Sequence, residues 1–440
     1  MRMGPSLAAL TLVLGAGAGT GAEETQPFRI IELPGPGRTV VAGFADLDGD
    51  GRTDVYSVAL YGVPPRARRE LRIHFQRPDG SLRDDPDWTG EVEEGAAAFD
   101  VADLPDGPGE EILLLLRHEV KVVSFAGRVP TTREIVVPGE PTVAVAPDER
   151  GLDRLRIARD ELGPELRLLV PGLGDCAVMT PEGELLGRID VGHRANFFIP
   201  PRPGPLVDES EVQQFYDFPR LEIGDVDGDG HPDIVASNRH ELRVFRQRPD
   251  GRFAGPPDLR LALERLTEKD QIRGSGNVRV DGEDLDGDGR LDLLITSTTG
   301  GLLDAMSETT IHVNRGGSWN LDEPDQKRTL SESWNVFELL DLDGDGRVEL
   351  MEARIPLSIL EMVEVLVTQA VDIEVGFYRS NGDGTFETQP FLESKLGVGV
   401  EFERFATAGF VPTVAADLNG DRARDRLHSA DGEALEIYLG

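Results

Sequence analysis

Two kinds of apolar run recur along this chain. One is short and continuous, as in ILLLL from Ile112, IVAS from Ile234 and LLITS from Leu293. Runs of that kind predict strands. The other alternates with period two and closes on a turn. It appears as LRIHFQRPDG from Leu71, VKVVSFAG from Val120, CAVMTPEG from Cys176, LRVFRQRPDG from Leu242, TIHVNRGG from Thr310, IEVGFYRSNGDG from Ile373 and LEIYLG from Leu435. Alternation ended by Gly, Asp or Asn is the hairpin signal.

A second, acidic element keeps step with the first. DLDGDGRTD starts at Asp46, DVDGDGHPD at Asp225, DLDGDGRLD at Asp284, DLDGDGRVE at Asp341 and DLNGDRARD at Asp417. The first gap is about three times the typical repeat of ~60 residues, so it holds two degenerate copies. VADLPDGPGEEILLLL from Val101 is one, with Asp103 in the place of Asp46. The other falls between about Val145 and Val170, where no register stands out. Each unit thus reads as strand, acidic loop, strand, hairpin strand and outer strand. Four strands per unit and seven units predict an all-β fold: a seven-bladed β-propeller with four-stranded antiparallel blades. The strand PFRIIELPGP from Pro27 has no unit of its own, and the last unit stops at its hairpin strand. The N-terminal strand is therefore expected to complete the seventh blade and close the ring, because an open ring leaves edges unpaired. Apolar Ile359, Met362, Val363 and Leu366 recur at helical spacing and suggest a short helix inserted in the sixth unit. Residues 257–276 and 318–331 read as polar surface connections.

The loops carry the candidate chemistry. Carboxylates at positions one, three and five face a common centre, a glycine at position six permits the sharp turn, position seven offers its carbonyl, and an acid at position nine closes the shell. Hard oxygen ligands in this number suit Ca²⁺. The predicted sets are Asp46, Asp48, Asp50 and Asp54; Asp225, Asp227, Asp229 and Asp233; Asp284, Asp286, Asp288 and Asp292; and Asp341, Asp343, Asp345 and Glu349. In the fifth loop Asp417, Asn419, Asp421 and Asp425 remain, but Arg422 replaces the turn glycine, so weaker binding or none is expected. No ion is expected at Asp103. EF-hands open with the same residues, yet they need a bidentate Glu at position twelve and flanking helices. Position twelve here is Ser57, Ala236, Ile295, Glu352 and His428, and strand-like runs follow most loops.

Acidic DxDGDGxxD loops set in ~60-residue all-β units resemble FG-GAP (VCBS-type) repeats, the blades of the propeller at the head of integrin α chains. The resemblance spans nearly all of residues 27–440. It implies structural Ca²⁺ in each intact loop. The Phe-Gly element is poorly kept, with AGFADLDGDG and LEIGDVDGDG as its nearest forms. The membrane span and leg domains of integrins do not appear, so their function does not carry over.

Composition narrows the role. With 81 Asp+Glu against 45 Lys+Arg, the net charge of −36 argues against nucleic acid or an anionic membrane as partner. A single cysteine, Cys176, excludes an intramolecular disulfide framework. Residues 1–22 have the layout of a secretory signal peptide: Arg2, an apolar stretch from Leu7 to Leu14, then small residues to Ala22. Residues 23–440 are then a soluble propeller, secreted, periplasmic or at the cell surface, and expected to be monomeric. HExxH and GxSxG motifs do not occur, and the histidines are scattered. Trp88, Trp319 and Trp334 fall in predicted connections, where they either stack on a ligand or pack between blades. The expectation is a calcium-binding module for adhesion to, or scaffolding of, a protein or polysaccharide. The alternative is a polysaccharide lyase or hydrolase built on the same scaffold.

Overall fold

The structure, a computed structural model, describes residues 29–62, 67–105, 107–139, 142, 152–198, 213–273, 276–300, 305–331, 333–341, 347–356, 370–399, 410–414, 418–419, 425–429 and 434–439. Its first strand is β1 (Arg29–Pro34). Sheet one holds β2 (Arg38–Ala45), β3 (Asp54–Tyr61), β4 (Arg68–His74) and β5 (Trp88–Val92). Sheet two holds β6 (Ala98–Ala102), β7 (Glu111–Leu115), β8 (Glu119–Ser124) and β9 (Thr131–Val136), with β10 (Asp153–Arg154) added parallel to β6. Sheet three holds β11 (Ala158–Arg159), β12 (Arg167–Pro171), β13 (Cys176–Met179) and β14 (Leu185–Ile189). A separate hairpin follows, β15 (Arg194–Phe198) with β16 (Gln213–Asp217). Sheet four holds β17 (Arg220–Gly224), β18 (Asp233–Ser237), β19 (Glu241–Phe245) and β20 (Leu259–Ala262). One short helix, α1 (Glu268–Arg273), leads to sheet five: β21 (Asn277–Glu283), β22 (Asp292–Thr299), β23 (Met306–His312) and β24 (Gln326–Ser331). Sheet six holds β25 (Ser333–Leu340), β26 (Glu349–Pro356), β27 (Ala370–Tyr378) and β28 (Leu392–Gly399). Sheet seven holds β29 (Phe410–Val414), β30 (Arg426–Ser429) and β31 (Ala434–Leu439), with β1 as its fourth strand.

Among the described residues the protein is thus all-β, and its six four-stranded sheets together with the five-stranded sheet two are consistent with a seven-bladed propeller. β1 lies antiparallel to β31, from Arg29 opposite Leu439 to Pro34 opposite Ala434. By contacts the chain divides into two compact units. One is formed by the described residues before Arg159, Pro181–Gly183 and those after Glu403; the other comprises Arg159–Thr180 and Glu184–Phe402.

Burial follows the apolar pattern. The continuous runs are the second strands, and β7, β18 and the first six residues of β22 are buried throughout. Outer strands β20 and β24 alternate between half-buried and exposed, because only one face meets a neighbour. Apolar side chains of adjacent sheets interleave. Tyr56 and Ile73 of sheet one meet Phe99, Ile112 and Phe125 of sheet two, and Val235 and Val244 of sheet four meet Val280 and Leu293 of sheet five.

Several sequence expectations shift. The polar stretch 257–276 contains β20 and α1, and 318–331 contains the whole of β24. Outer strands are polar on one face, and that masks them in a hydropathy reading. The helix suggested around Ile359 falls largely on residues 357–369, outside the described residues, as do residues 1–28.

Candidate metal centres

Each acidic loop spans the first two strands of its sheet. Ala45 pairs with Asp54, Gly224 with Asp233, Glu283 with Asp292 and Leu340 with Glu349, so position nine always opens the second strand. Strands, rather than helices, follow the loops. Glycines at positions four and six both run left-handed, with φ of 74° and 81° at Gly49 and Gly51, 80° and 83° at Gly228 and Gly230, and 79° and 85° at Gly287 and Gly289. L-residues pay for that conformation, and glycine does not. Position four carries a second constraint that sequence reasoning missed. A Cβ on Gly49 would stand 2.5 Å from Pro108 Cβ, and one on Gly228 would stand 2.7 Å from Arg290 Nε, both from the following sheet's loop.

The first carboxylate ties the turn. Asp284 accepts the N–H groups of Gly287, Asp288 and Gly289 at 2.9, 3.1 and 2.9 Å. Asp46 does the same with Gly49, Asp50 and Gly51 at 3.0, 3.1 and 2.9 Å. Asp225 accepts from Gly228 at 2.7 Å and Gly230 at 2.8 Å. The carboxylates consequently converge. One oxygen from each of Asp46, Asp48 and Asp50 lies within 4.8 Å of the others, and the same holds for Asp225, Asp227 and Asp229 and for Asp284, Asp286 and Asp292. Ca²⁺ binds oxygens at about 2.3–2.6 Å, so opposed ligands stand roughly 5 Å apart. The donor sets therefore fit a single hard cation, and these three clusters could each hold one. Asp225, Asp227, Asp229, Asp284, Asp286 and Asp292 would supply carboxylate oxygens there, whereas Asp48 and Asp50 of the first cluster already meet arginine side chains.

Position nine is mainly a structural hub. Asp54, Asp233 and Asp292 are at most 1% exposed. One oxygen accepts the N–H of position two: Leu47 at 3.0 Å, Val226 at 3.0 Å and Leu285 at 2.9 Å. The other accepts an N–H just beyond the hairpin strand: Gln76 at 2.8 Å, Gln247 at 2.8 Å and Asn314 at 2.7 Å. Burial pushes all three carboxyls up to about 6, against the lowering effect of those N–H groups. The first of these bonds is kept where the acidic motif decays. Leu104 donates to Glu111 at 2.9 Å in the degenerate second copy, and Leu418 to Asp425 at 2.6 Å in the seventh.

The residue receiving the hub's second bond uses its side-chain amide as a staple. Gln247 Nε2 donates to the Leu162 carbonyl at 2.9 Å, Asn314 Nδ2 to the Val226 carbonyl at 2.7 Å, and Gln76 Nε2 to the Leu418 carbonyl. Each links one sheet to the loop of the preceding sheet within the same compact unit. The signal was present in the sequence, since Gln76, Gln247 and Asn314 share one column of the hairpin motif. The staple also resolves the missing third register. Asp160–Leu162 form a 3-10 turn between β11 and β12, and Leu162 fills the accepting place.

For the remaining predicted ligands, Asp341 is exposed and Glu349 buried at the head of β26, while Asp343 and Asp345 lie outside the described residues. Asn419 is exposed and Asp425 buried; Asp417 and Asp421 also lie outside them.

The other candidates have structural partners. Trp88 opens β5, rather than sitting in a connection, and meets Phe125 edge-on at 4.9 Å. Trp319 is buried and donates Nε1 to the Leu291 carbonyl at 2.8 Å, and Trp334 belongs to β25. His74 and His312 are buried, donate through Nδ1–H to the carbonyls of Arg83 and Asn320, and are held below the usual imidazole range by burial. Cys176 is a fully buried residue of β13 whose thiol burial pushes up to about 12.

Residues 225–295 and 284–351 match the model of the FG-GAP-like repeat. Similarity to the FG-GAP-like repeat is thus shown for residues 225–351. The matched stretch runs through the loops at Asp225 and Asp284 and into β26, and the loop at Asp46 repeats their geometry outside it. No curated protein matches the chain. Among solved structures, the chain is similar to one on specific recognition of non-reducing terminal N-acetylglucosamine by an Agrocybe aegerita lectin. The identity is 17% and the TM-score 0.32, over 90% of this chain and 78% of that one. It is also similar to S. cerevisiae core factor at 9% identity and a TM-score of 0.39, over 95% of this chain and 62% of that one. Neither likeness is close enough to bear on fold or function.

Proposed function

We propose that this protein is a secreted, monomeric seven-bladed β-propeller, stabilised by calcium and serving as a binding or scaffold module for an extracellular protein or polysaccharide. The observation that carries the calcium reading is the recurrence of one carboxylate-lined turn at the same place in sheets one, four and five. Like charges this close repel unless a cation compensates them. The FG-GAP-like repeats support the binding-module class. Closure of the ring by the N-terminal strand is supported by the β1–β31 register and by the Gln76 staple to Leu418, which joins sheet one to sheet seven.

Calcium titration calorimetry on the mature chain, paired with melting in calcium and in chelator, tests the metal half. Saturable uptake and a higher melting temperature in calcium are expected, and identical melts would defeat it. Glycan and peptide arrays test the binding half, with sedimentation velocity for the monomer. A chain that retains no ligand on either array would be a structural module only.

A further inference from the structure

The acidic loop at Asp46 differs from the other two in what surrounds its carboxylates. Arg128, in the turn after β8 of sheet two, reaches into it. Its Nε lies 2.6 Å from Asp48 Oδ2, and its Nη2 lies 3.4 Å from Asp50 Oδ2 and 3.1 Å from the Gln76 carbonyl. The guanidinium sits 5.1 Å above the Phe75 ring. The backbone holds it there, since Gly127 donates to the Asp48 carbonyl at 3.1 Å. Arg128 has φ of 66° and is the one non-glycine residue with positive φ among the described residues. A side chain kept in that region marks a position over-determined by its contacts. Arg52 adds a second guanidinium on Asp50.

The other loops are less compensated. At Asp225, among the described residues, one guanidinium, that of Arg246, meets Asp227 at 3.2 Å. At Asp284, Arg290 meets Asp288 at 3.0 Å, and no ion pair engages Asp286 among the described residues.

We propose that Arg128 is a built-in counter-cation: its guanidinium takes the place of calcium between Asp48 and Asp50, so the first loop folds without metal. The contrast with the loops at Asp225 and Asp284 rests on the calcium reading above. A planar fork bonded to both carboxylates occupies the lone pairs that an ion needs, and a fixed positive charge beside the centre repels a divalent cation. The motif DLDGDGRTD, a complete ligand set by sequence, is then a loop that calcium does not enter while Arg128 is in place.

Calorimetric calcium titration of the full chain tests this. Asp48→Asn alone should leave the number of bound ions unchanged. Arg128→Gln should add one ion, and Arg128→Gln with Asp48→Asn should remove that addition. In chelator, Arg128→Gln should melt below the parent chain, with calcium recovering the difference. Loss of one ion in Asp48→Asn, no gain in Arg128→Gln, or equal melting of Arg128→Gln and parent in chelator would each overturn the proposal. Asp48→Asn keeps the arginine, so it decides the matter even where Arg128→Gln does not fold. A parent chain that takes up no calcium refutes the calcium reading alone, and the melt in chelator still judges Arg128.

Discussion

Asp292 and Asp286 belong to one acidic loop and have different work. Asp286 is half-buried among carboxylates, whereas Asp292 has no exposure and both its oxygens accept backbone N–H groups, from Leu285 and Asn314. Removing Asp292 strands two buried donors at about 1–3 kcal/mol each. Asp292→Ala is therefore expected to lower the melting temperature by similar amounts in calcium and in chelator, while Asp286→Ala lowers it in calcium only. Equal sensitivity of both variants to calcium would return Asp292 to a purely ligand role. Cys176 offers a second residue-scale test. Burial pushes its thiol up from 9.0 to about 12, so between those values the folded form holds the extra proton and stability falls as pH rises. At pH 7–9 the folded thiol stays neutral and buried. A disulfide reagent should label it only at the rate of unfolding, and fast labelling that tracks thiolate concentration would contradict the burial.

At the scale of the element, the hydrophobic pattern carried the second and third strands of each sheet, because these are buried on one or both faces and their periodicity is undiluted. It was weaker for β20 and β24, whose solvent face is polar, and silent for the β15–β16 hairpin. The acidic loops were legible because their chemistry is local, with Asp and Gly at fixed offsets. What position nine does was not, since its partners, Gln76, Gln247 and Asn314, lie 22, 14 and 22 residues on. Arg128 was hidden for the same reason, being 80 residues from Asp48. The staples make a prediction about elements. Gln247→Met keeps the side-chain length and removes the donor to the buried Leu162 carbonyl, so it should cost about 1–2 kcal/mol, with no change in calcium stoichiometry. Chemical denaturation checks the cost and calorimetry the stoichiometry. A neutral result would reduce the staple to a packing contact.

For the whole molecule, charge and closure set the terms. At −36, ions in the loops at Asp225, Asp284 and Asp341 would bring the chain only to −36 + 6 = −30, so general repulsion persists even when those loops are filled. Each ion bound at 100-fold excess over its Kd contributes about 2.7 kcal/mol to the folded state. Chelation should therefore lower the melting temperature by several degrees. Added sodium chloride should recover only part of that loss, because it screens exposed charges over about 10 Å at 0.1 M and cannot supply ligand geometry. The proposed closure rests on a different bond set. β1 covers the edge of β31, and Leu33 packs with Leu435, Ile437, Leu418 and Val55. Deleting residues 29–34 would leave β31 as an open edge and remove Leu33 from that core, so the proposed ring would lose the clasp on its seventh blade. The expected outcome is faster labelling of Cys176 in its β13 core, a lower melting temperature that calcium does not restore, and concentration-dependent association through the bare edge. A deletion variant that stays monomeric, melts with the parent and labels at the parent rate would mean that sheet seven is complete without its first strand, and the ring would need another clasp.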